Sequence, residues 1–235
     1  MLLKCNIMYI ATPYKQWLTY LSKGEAIAAT LRLSIMSGER ATHKLLTENQ
    51  VANEFQVSRS PVRDAFKILA QERLIRLERM GAEIIPFTDK QRQELTDIRL
   101  MIESFAFTKV IQRSDWMEIV QSMQQALAMM QVNIQYKDAA SFAENDLKFH
   151  ELMVLACDHH YLTHLWQQIM PTMLCLNYMS MKKRMDENFE DFERVIQNHE
   201  LFVTAIGQKD RKMMYEAFEA NFNDLNNDIG AFWAQ

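Results

Sequence analysis

The chain is short of the residues that interrupt helices: in 235 residues there are five glycines and four prolines. It is also short of cysteine, and the three present, Cys5, Cys157 and Cys175, fall at unrelated spacings with no C-x-x-C pair. An odd, scattered set excludes a disulfide framework and a thiolate zinc knuckle, so buried thiols are expected. No window approaches the roughly 18 consecutive apolar residues of a membrane span. The opening M-L-L-K-C-N-I-M-Y-I-A lacks the basic start and continuous apolar core of a signal peptide, which predicts a cytoplasmic protein without a membrane partner. What remains is 49% hydrophobic and 24% charged and rich in Leu, Ala, Met, Gln and Glu, the composition of a mostly helical globular protein.

A formal net charge of −4 argues against a nucleic-acid partner only until it is divided along the chain. Residues 1–22 and 23–88 each carry a balance of +2, whereas residues 89–235 carry −8. The change of sign suggests an N-terminal arm (1–22), a basic unit (23–88) and an acidic unit (89–235) with different tasks.

In the basic unit, Ile27, Leu31 and Ile35 recur every four residues, predicting a first helix that ends near Gly38. Thr47, with Gln50 three residues on, has the form of a capping box that opens a short second helix at about 48–55. A third helix follows Ser58, with Pro61 in its first turn and Val62, Ala65, Phe66, Leu69 and Ala70 along one side. The stretch I-R-L-E-R-M-G-A-E-I-I-P then alternates apolar and charged residues about Met80-Gly81, predicting a two-stranded hairpin. Three helices and a hairpin make a winged helix-turn-helix.

The start of the third helix, S-R-S-P-V-R-D, places Arg59 and Arg63 on one face, with Ser58 as cap and Ser60 beside them. A recognition helix enters the major groove by its N-terminal residues, where backbone N–H groups and arginine forks meet phosphates and guanine edges. The alternative, arginines paired to Asp64 and nearby glutamates on a solvated face, explains the spacing but not the short helix, turn and wing around it.

Residues 51–76, V-A-N-E-F-Q-V-S-R-S-P-V-R-D-A-F-K-I-L-A-Q-E-R-L-I-R, resemble the DNA-binding domain of GntR-type transcription regulators. The resemblance covers about residues 24–86. It implies DNA contacts by Arg59 and Arg63, by Thr47, Glu48 and Asn49 at the start of the second helix, and by Arg79, Met80 and Gly81 at the wing tip. Ser58, before the arginines, and Ser60 and Pro61, between them, are expected to belong to the same DNA-binding edge. Thr42 and His43 stand where the family usually has Pro-Gly, and Asn49 where relatives often have arginine.

Beyond residue 89 the pattern is helical throughout, with segments at about 89–113, 115–135, 138–156, 160–182, 186–207 and 209–233, and Pro171 expected to kink the fourth. I-R-L-M-I-E-S-F-A-F (98–107) and N-D-L-K-F-H-E-L-M-V-L-A (145–156) resemble the FCD type of effector domain, a helical bundle that binds a small effector and dimerises. Many such domains hold a divalent metal by an aspartate and three histidines. Carried over, the set is Asp146, His150 and His199, with Asn221 where the last histidine is expected. Asp146 and His150 are four apart and share a helix face. A carboxamide is a weaker ligand than imidazole, so Asn221 weakens the expected site for Zn, Ni or Mn, and satisfied polar residues in a bundle core are the alternative.

Arg99 and Glu103 match the family's R-x-x-x-E motif, which implies an effector cavity in which Arg99 grips a carboxylate; a structural salt bridge is the alternative. His159, His160 and His164 are expected to be exposed. Thirteen of the seventeen methionines lie beyond residue 89, either as core or as lining for an apolar effector. The expectation is a homodimeric regulator, a repressor in the leading form, bound to palindromic double-stranded operator DNA. Its effector would be a small carboxylate such as a sugar acid; a metal-free reader of fatty acyl thioesters is the alternative. A helical metalloenzyme would need a second E-x-x-H or a catalytic pair, and none is found. A protein-binding adaptor would leave the basic S-R-S-P-V-R edge without purpose.

Overall fold

The computed structural model describes residues 22–222, which divide between Thr88 and Asp89 into two compact units. The arm with Tyr9, Tyr14, Trp17 and Tyr20, together with Cys5, lies outside the described residues, as does the helical pattern beyond residue 222.

The first unit contains α1 (Lys23–Met36), β1 (Leu45–Leu46), α2 (Glu48–Phe55), α3 (Arg59–Gln71), β2 (Ile75–Glu78) and β3 (Gly81–Ile84). Both α1 and α2 open with reciprocal capping boxes, Ser22 with Glu25 and Thr47 with Gln50, which satisfy backbone N–H groups that have no helical acceptor. The αL residue Gln56 ends α2 and turns the chain into α3, whose Val62, Ala65, Phe66 and Leu69 are buried. Gly24 lets the start of α1 lie against the first turn of α3: a Cβ there would stand 3.0 Å from the Cβ of Asp64. The sheet is antiparallel with order β1-β3-β2, and Ala82 faces both Leu46 and Leu77.

Two details differ from expectation. The wing has three strands rather than two, because Leu45 and Leu46 pair with β3; a two-residue strand is too short to carry an alternating pattern. Ser58 occupies the N-cap position of α3, but its hydroxyl accepts no capping hydrogen bond.

The second unit is entirely helical among the described residues: α4 (Asp89–Val110), α5 (Trp116–Gln135), α6 (Ala139–Ala156), α7 (His160–Glu187), a 3-10 turn at Phe189–Asp191, α8 (Phe192–Gln208) and α9 (Arg211–Phe222). The helix α6 packs against α4, α5 and α7, while α8 packs against α5 and α9. Phe107, Phe142, Phe149, Trp166, Phe192, Phe202 and Phe218 are fully buried between them.

The helix α7 continues unbroken through Pro171 to Glu187 rather than ending at 182, and α8 starts correspondingly later, at Phe192. Its last turns, M-K-K-R-M-D-E, have little apolar periodicity and are supported by the i, i+4 pairs Lys182–Asp186 and Lys183–Glu187. Met123, Met130, Met153, Met173, Met181, Met185 and Met214 are buried in the core. Cys175 is buried and Cys157 half-buried, both as thiols. No described helix is long and apolar enough to cross a membrane.

Candidate functional site

Two sets of residues single themselves out, one in each unit. In the first unit the buried side of α3 leaves Arg59, Ser60, Arg63 and Lys67 exposed on the other. The Nε of Arg63 donates to Oε1 of Glu48 at 2.8 Å, which joins the start of α3 to the start of α2. This contact holds the Glu48 carboxyl below its usual range and raises the Arg63 guanidinium further. Asp64, the partner considered from sequence, pairs instead with Lys67.

Asn49, Ser58 and Arg59 are exposed, and Thr47, Glu48 and Pro61 are half-buried. At the wing tip Arg79 is exposed and Met80 is 71% accessible. Gly81 has φ +149, and a Cβ on it would come within 2.1 Å of the Leu46 carbonyl oxygen. Only glycine fits there. His43, in the place where glycine was expected by resemblance, adopts φ 57, and its Nδ1 lies 3.1 Å from Glu83.

The second unit buries five ionisable side chains together: Arg99 and Glu103 from α4, Asp146 and His150 from α6, and His199 from α8, none more than 5% exposed. Each burial must be offset by a partner. Glu103 takes Nε of Arg99 on Oε1 at 2.6 Å and Nδ1 of His150 on Oε2, also at 2.6 Å. Burial pushes the Glu103 carboxyl upward, but the Arg99 charge and the hydrogen bonds from His150 and Arg99 outweigh it and hold the group below its usual range. For His150, burial dominates and lowers the imidazole, so the ring is neutral at neutral pH.

The tautomers follow from the partners. An ionised carboxylate only accepts, so the His150 proton is on Nδ1 and its Nε2 is a lone pair. The Nδ1 of His199 lies 2.7 Å from the Val195 carbonyl oxygen, also an obligate acceptor, so this nitrogen carries a proton. The Nε2 of His199 stands 3.0 Å from Oδ1 of Asp146, while Oδ2 of Asp146 accepts from Asn177 at 2.7 Å. Burial opposes ionisation of Asp146, but His199, His150 and Arg99 hold its carboxyl well below the usual range.

The result is a group of candidate ligand atoms facing one another. Ligand atoms of Asp146, His150 and His199 all lie within 4.8 Å of each other. The Nε2 atoms of His150 and His199 and an NH2 nitrogen of Arg99 are buried with no hydrogen-bond partner among the described residues. Phe149 and Phe202 pack edge-on to the histidines. Two imidazoles and a carboxylate converging at this range suit a divalent transition ion. Asn221, half-buried, precedes Phe222, whose ring lies 5.3 Å from the Arg99 guanidinium carbon, so the end of α9 reaches this cluster.

Sequence reading had brought Asp146, His150 and His199 together and had set Arg99 with Glu103. It missed that Glu103 bridges to His150 and that Asn177 holds Asp146; a lone Asn in M-L-C-L-N-Y carries no pattern. His159, His160 and His164 are exposed, and His159 caps α7 by accepting from the Leu162 N–H.

A winged helix-turn-helix joined to a helical bundle with a buried polar cluster is the construction of a DNA-binding regulator that senses a small ligand. The chain belongs to the GntR family of bacterial regulatory proteins, in the group that carries an FCD domain: the family profile matches residues 23–84 and the FCD domain profile residues 94–224. It is a transcription regulator and not an enzyme.

The gluconate operon transcriptional repressor of Bacillus licheniformis is 42% identical over 228 residues, spanning 97% of this chain and 92% of its own. That of Bacillus subtilis (strain 168) is also 42% identical, over 93% of this chain and 89% of its own. Among solved structures, E. coli McbR/YncC superposes with a TM-score of 0.64 at 17% identity, over 88% of this chain and 98% of its own. Lar, a protein that controls expression of the Listeria monocytogenes agr system, gives 0.63 at 16%, over 88% and 95%. At these identities the two structures establish the fold alone.

Proposed function

We propose that this protein is a cytoplasmic, homodimeric repressor of genes for sugar-acid use, released from its operator by a small hydroxy-carboxylate. Two copies would set their α3 helices about 34 Å apart on a palindromic site. Arg59 and Arg63 would read base edges, Ser58, Ser60, Pro61 and the α2 start (Thr47, Glu48, Asn49) would take the backbone, and Arg79 and Gly81 would bring in the wing.

In the bundle, Asp146, His150 and His199 would hold a divalent ion such as Zn, Ni or Mn, which supplies a Lewis-acidic centre for an effector carboxylate. Arg99 would bind the same carboxylate through its unpartnered nitrogen. Asn221 is assigned a supporting part at most, since three stronger donors already converge. The observation that carries the reading is the convergence of ligand atoms of Asp146, His150 and His199 within 4.8 Å, with both Nε2 atoms buried and without a hydrogen-bond partner among the described residues. The relatives' names support the sugar-acid assignment. Of the methionines that an acyl-thioester reader would use, Met173 and Met181 are buried and Met170 and Met179 half-buried, and the sugar-acid reading is preferred on the relatives' names.

Fluorescence anisotropy on labelled duplex from the gene's own upstream region, with and without D-gluconate, tests the proposal. Specific binding weakened by gluconate is expected. Arg63→Ala should abolish specific binding while leaving the far-UV CD spectrum unchanged, and retained specificity in that variant would remove Arg63 from the reading face.

A further inference from the structure

Glu103 lies at the centre of the cluster and not at its ligand-facing edge. It is 0% exposed, and each of its oxygens is committed: Oε1 to Arg99 at 2.6 Å, Oε2 to His150 Nδ1 at 2.6 Å. Nothing of it is left to touch an effector. An ionised carboxylate has no proton to give, so it imposes a single tautomer on the imidazole it faces. Its other oxygen occupies the Nε edge of the Arg99 guanidinium, and an NH2 nitrogen of that group is buried without a hydrogen-bond partner among the described residues.

We infer that Glu103 is a positioning residue that locks His150 into the tautomer able to ligate a cation through Nε2, while it aims Arg99 toward the same space. The consequence rests on the metal and carboxylate reading given above, but the tautomer itself does not. Electron withdrawal by a cation at Nε2 makes the Nδ1–H a stronger donor and draws Glu103 charge toward His150. Arg99 is then less neutralised and more attractive to a carboxylate. One buried glutamate would thereby make metal and effector reinforce each other, and that reinforcement is a coupling free energy between two sites.

The glutamine isostere separates these elements. The carboxamide of Glu103→Gln can rotate and donate to Nδ1, which lets the ring carry its proton on Nε2, where it cannot ligate. Nitrogen-15 NMR of metal-free, histidine-labelled full-length protein distinguishes the two tautomers directly. The expected result is Nδ1–H for His150 in the wild type and a shift toward Nε2–H in Glu103→Gln. Competition with a chromogenic chelator, using Ni(II) as probe, should show affinity lowered by about 10- to 100-fold in the variant, the usual effect of losing a partner behind a ligating histidine.

A wild-type His150 protonated on Nε2 overturns the inference, and this needs no variant to fold. An unchanged tautomer with Ni(II) affinity within about twofold in Glu103→Gln also overturns it. Wild-type protein that binds no Ni(II), yet shows the Nδ1–H tautomer lost in Glu103→Gln, sinks the metal reading and leaves the tautomer lock standing.

Discussion

Each unit buries an arginine against a glutamate, and the two pairs are built differently. In the DNA-binding unit Arg32 grips Glu72 with two prongs, Nε to Oε2 at 2.7 Å and NH2 to Oε1 at 2.5 Å, tying α1 to the end of α3. In the bundle Arg99 reaches Glu103 with one prong, the second carboxylate oxygen goes to His150, and a guanidinium nitrogen has no hydrogen-bond partner among the described residues. The first pair is closed and holds two helices together. The second is open: among the described residues one of its donors and the two imidazole Nε2 atoms next to it have no hydrogen-bond partner. Burial of charge is therefore no guide to function until the satisfaction of each atom is counted.

The largest expected effect tests the closed pair. Arg32→Ala strands Glu72 as an unpaired charge and should destabilise the DNA-binding unit by about 3–5 kcal/mol, seen in urea unfolding. A loss well under 1 kcal/mol would mean that the pair is not structural and that the contrast is mistaken. The next effect tests the open cluster. A divalent ion at a hundred times its dissociation constant should stabilise the bundle by about 2.7 kcal/mol, through binding to the native state alone. Calorimetry should show this for the wild type and not for His150→Ala, with the DNA-binding unit indifferent in both. Equal stabilisation of His150→Ala would show that the ion binds elsewhere.

Much of this contrast was legible in sequence, and the part that was not has physical causes. The capping box of Thr47 and Gln50, the apolar side of α3 and the four-residue spacings Asp146–His150 and Arg99–Glu103 are local, so helical period exposes them. The bridge from Glu103 to His150 spans 47 positions and two helices, and no local period reports it. The strand of Leu45 and Leu46 is too short to alternate. The last turns of α7 are held by lysine–carboxylate pairs, so apolar spacing underestimates their length. Ser58 has the residue type and position of a cap without the bond, a reminder that propensity names a place and geometry decides its use.

Closure in the first unit extends to the backbone of the wing, which gives two smaller tests. Gly81→Ala puts a methyl against the Leu46 carbonyl at a φ that L residues avoid, and should cost about 1–3 kcal/mol while splitting β1 from β3. DNA affinity should fall with it, and the metal response of the bundle should not. A matching loss of metal response would mean that the two units are not separable in this way.

His43→Gly is the gentlest probe and the one with the least obvious sign. A non-glycine residue in the left-handed region carries about 1–2 kcal/mol of strain, which glycine removes. Against this, glycine gives up about 0.5–1 kcal/mol through the greater freedom of the unfolded chain. The contact with Glu83 that is lost is made by a side chain 71% exposed and contributes little. Strain relief is the larger quantity, so the urea midpoint should rise slightly, by less than about 1 kcal/mol in equivalent stability. A fall instead would show that His43 is held in place by its side chain, for reasons beyond backbone shape.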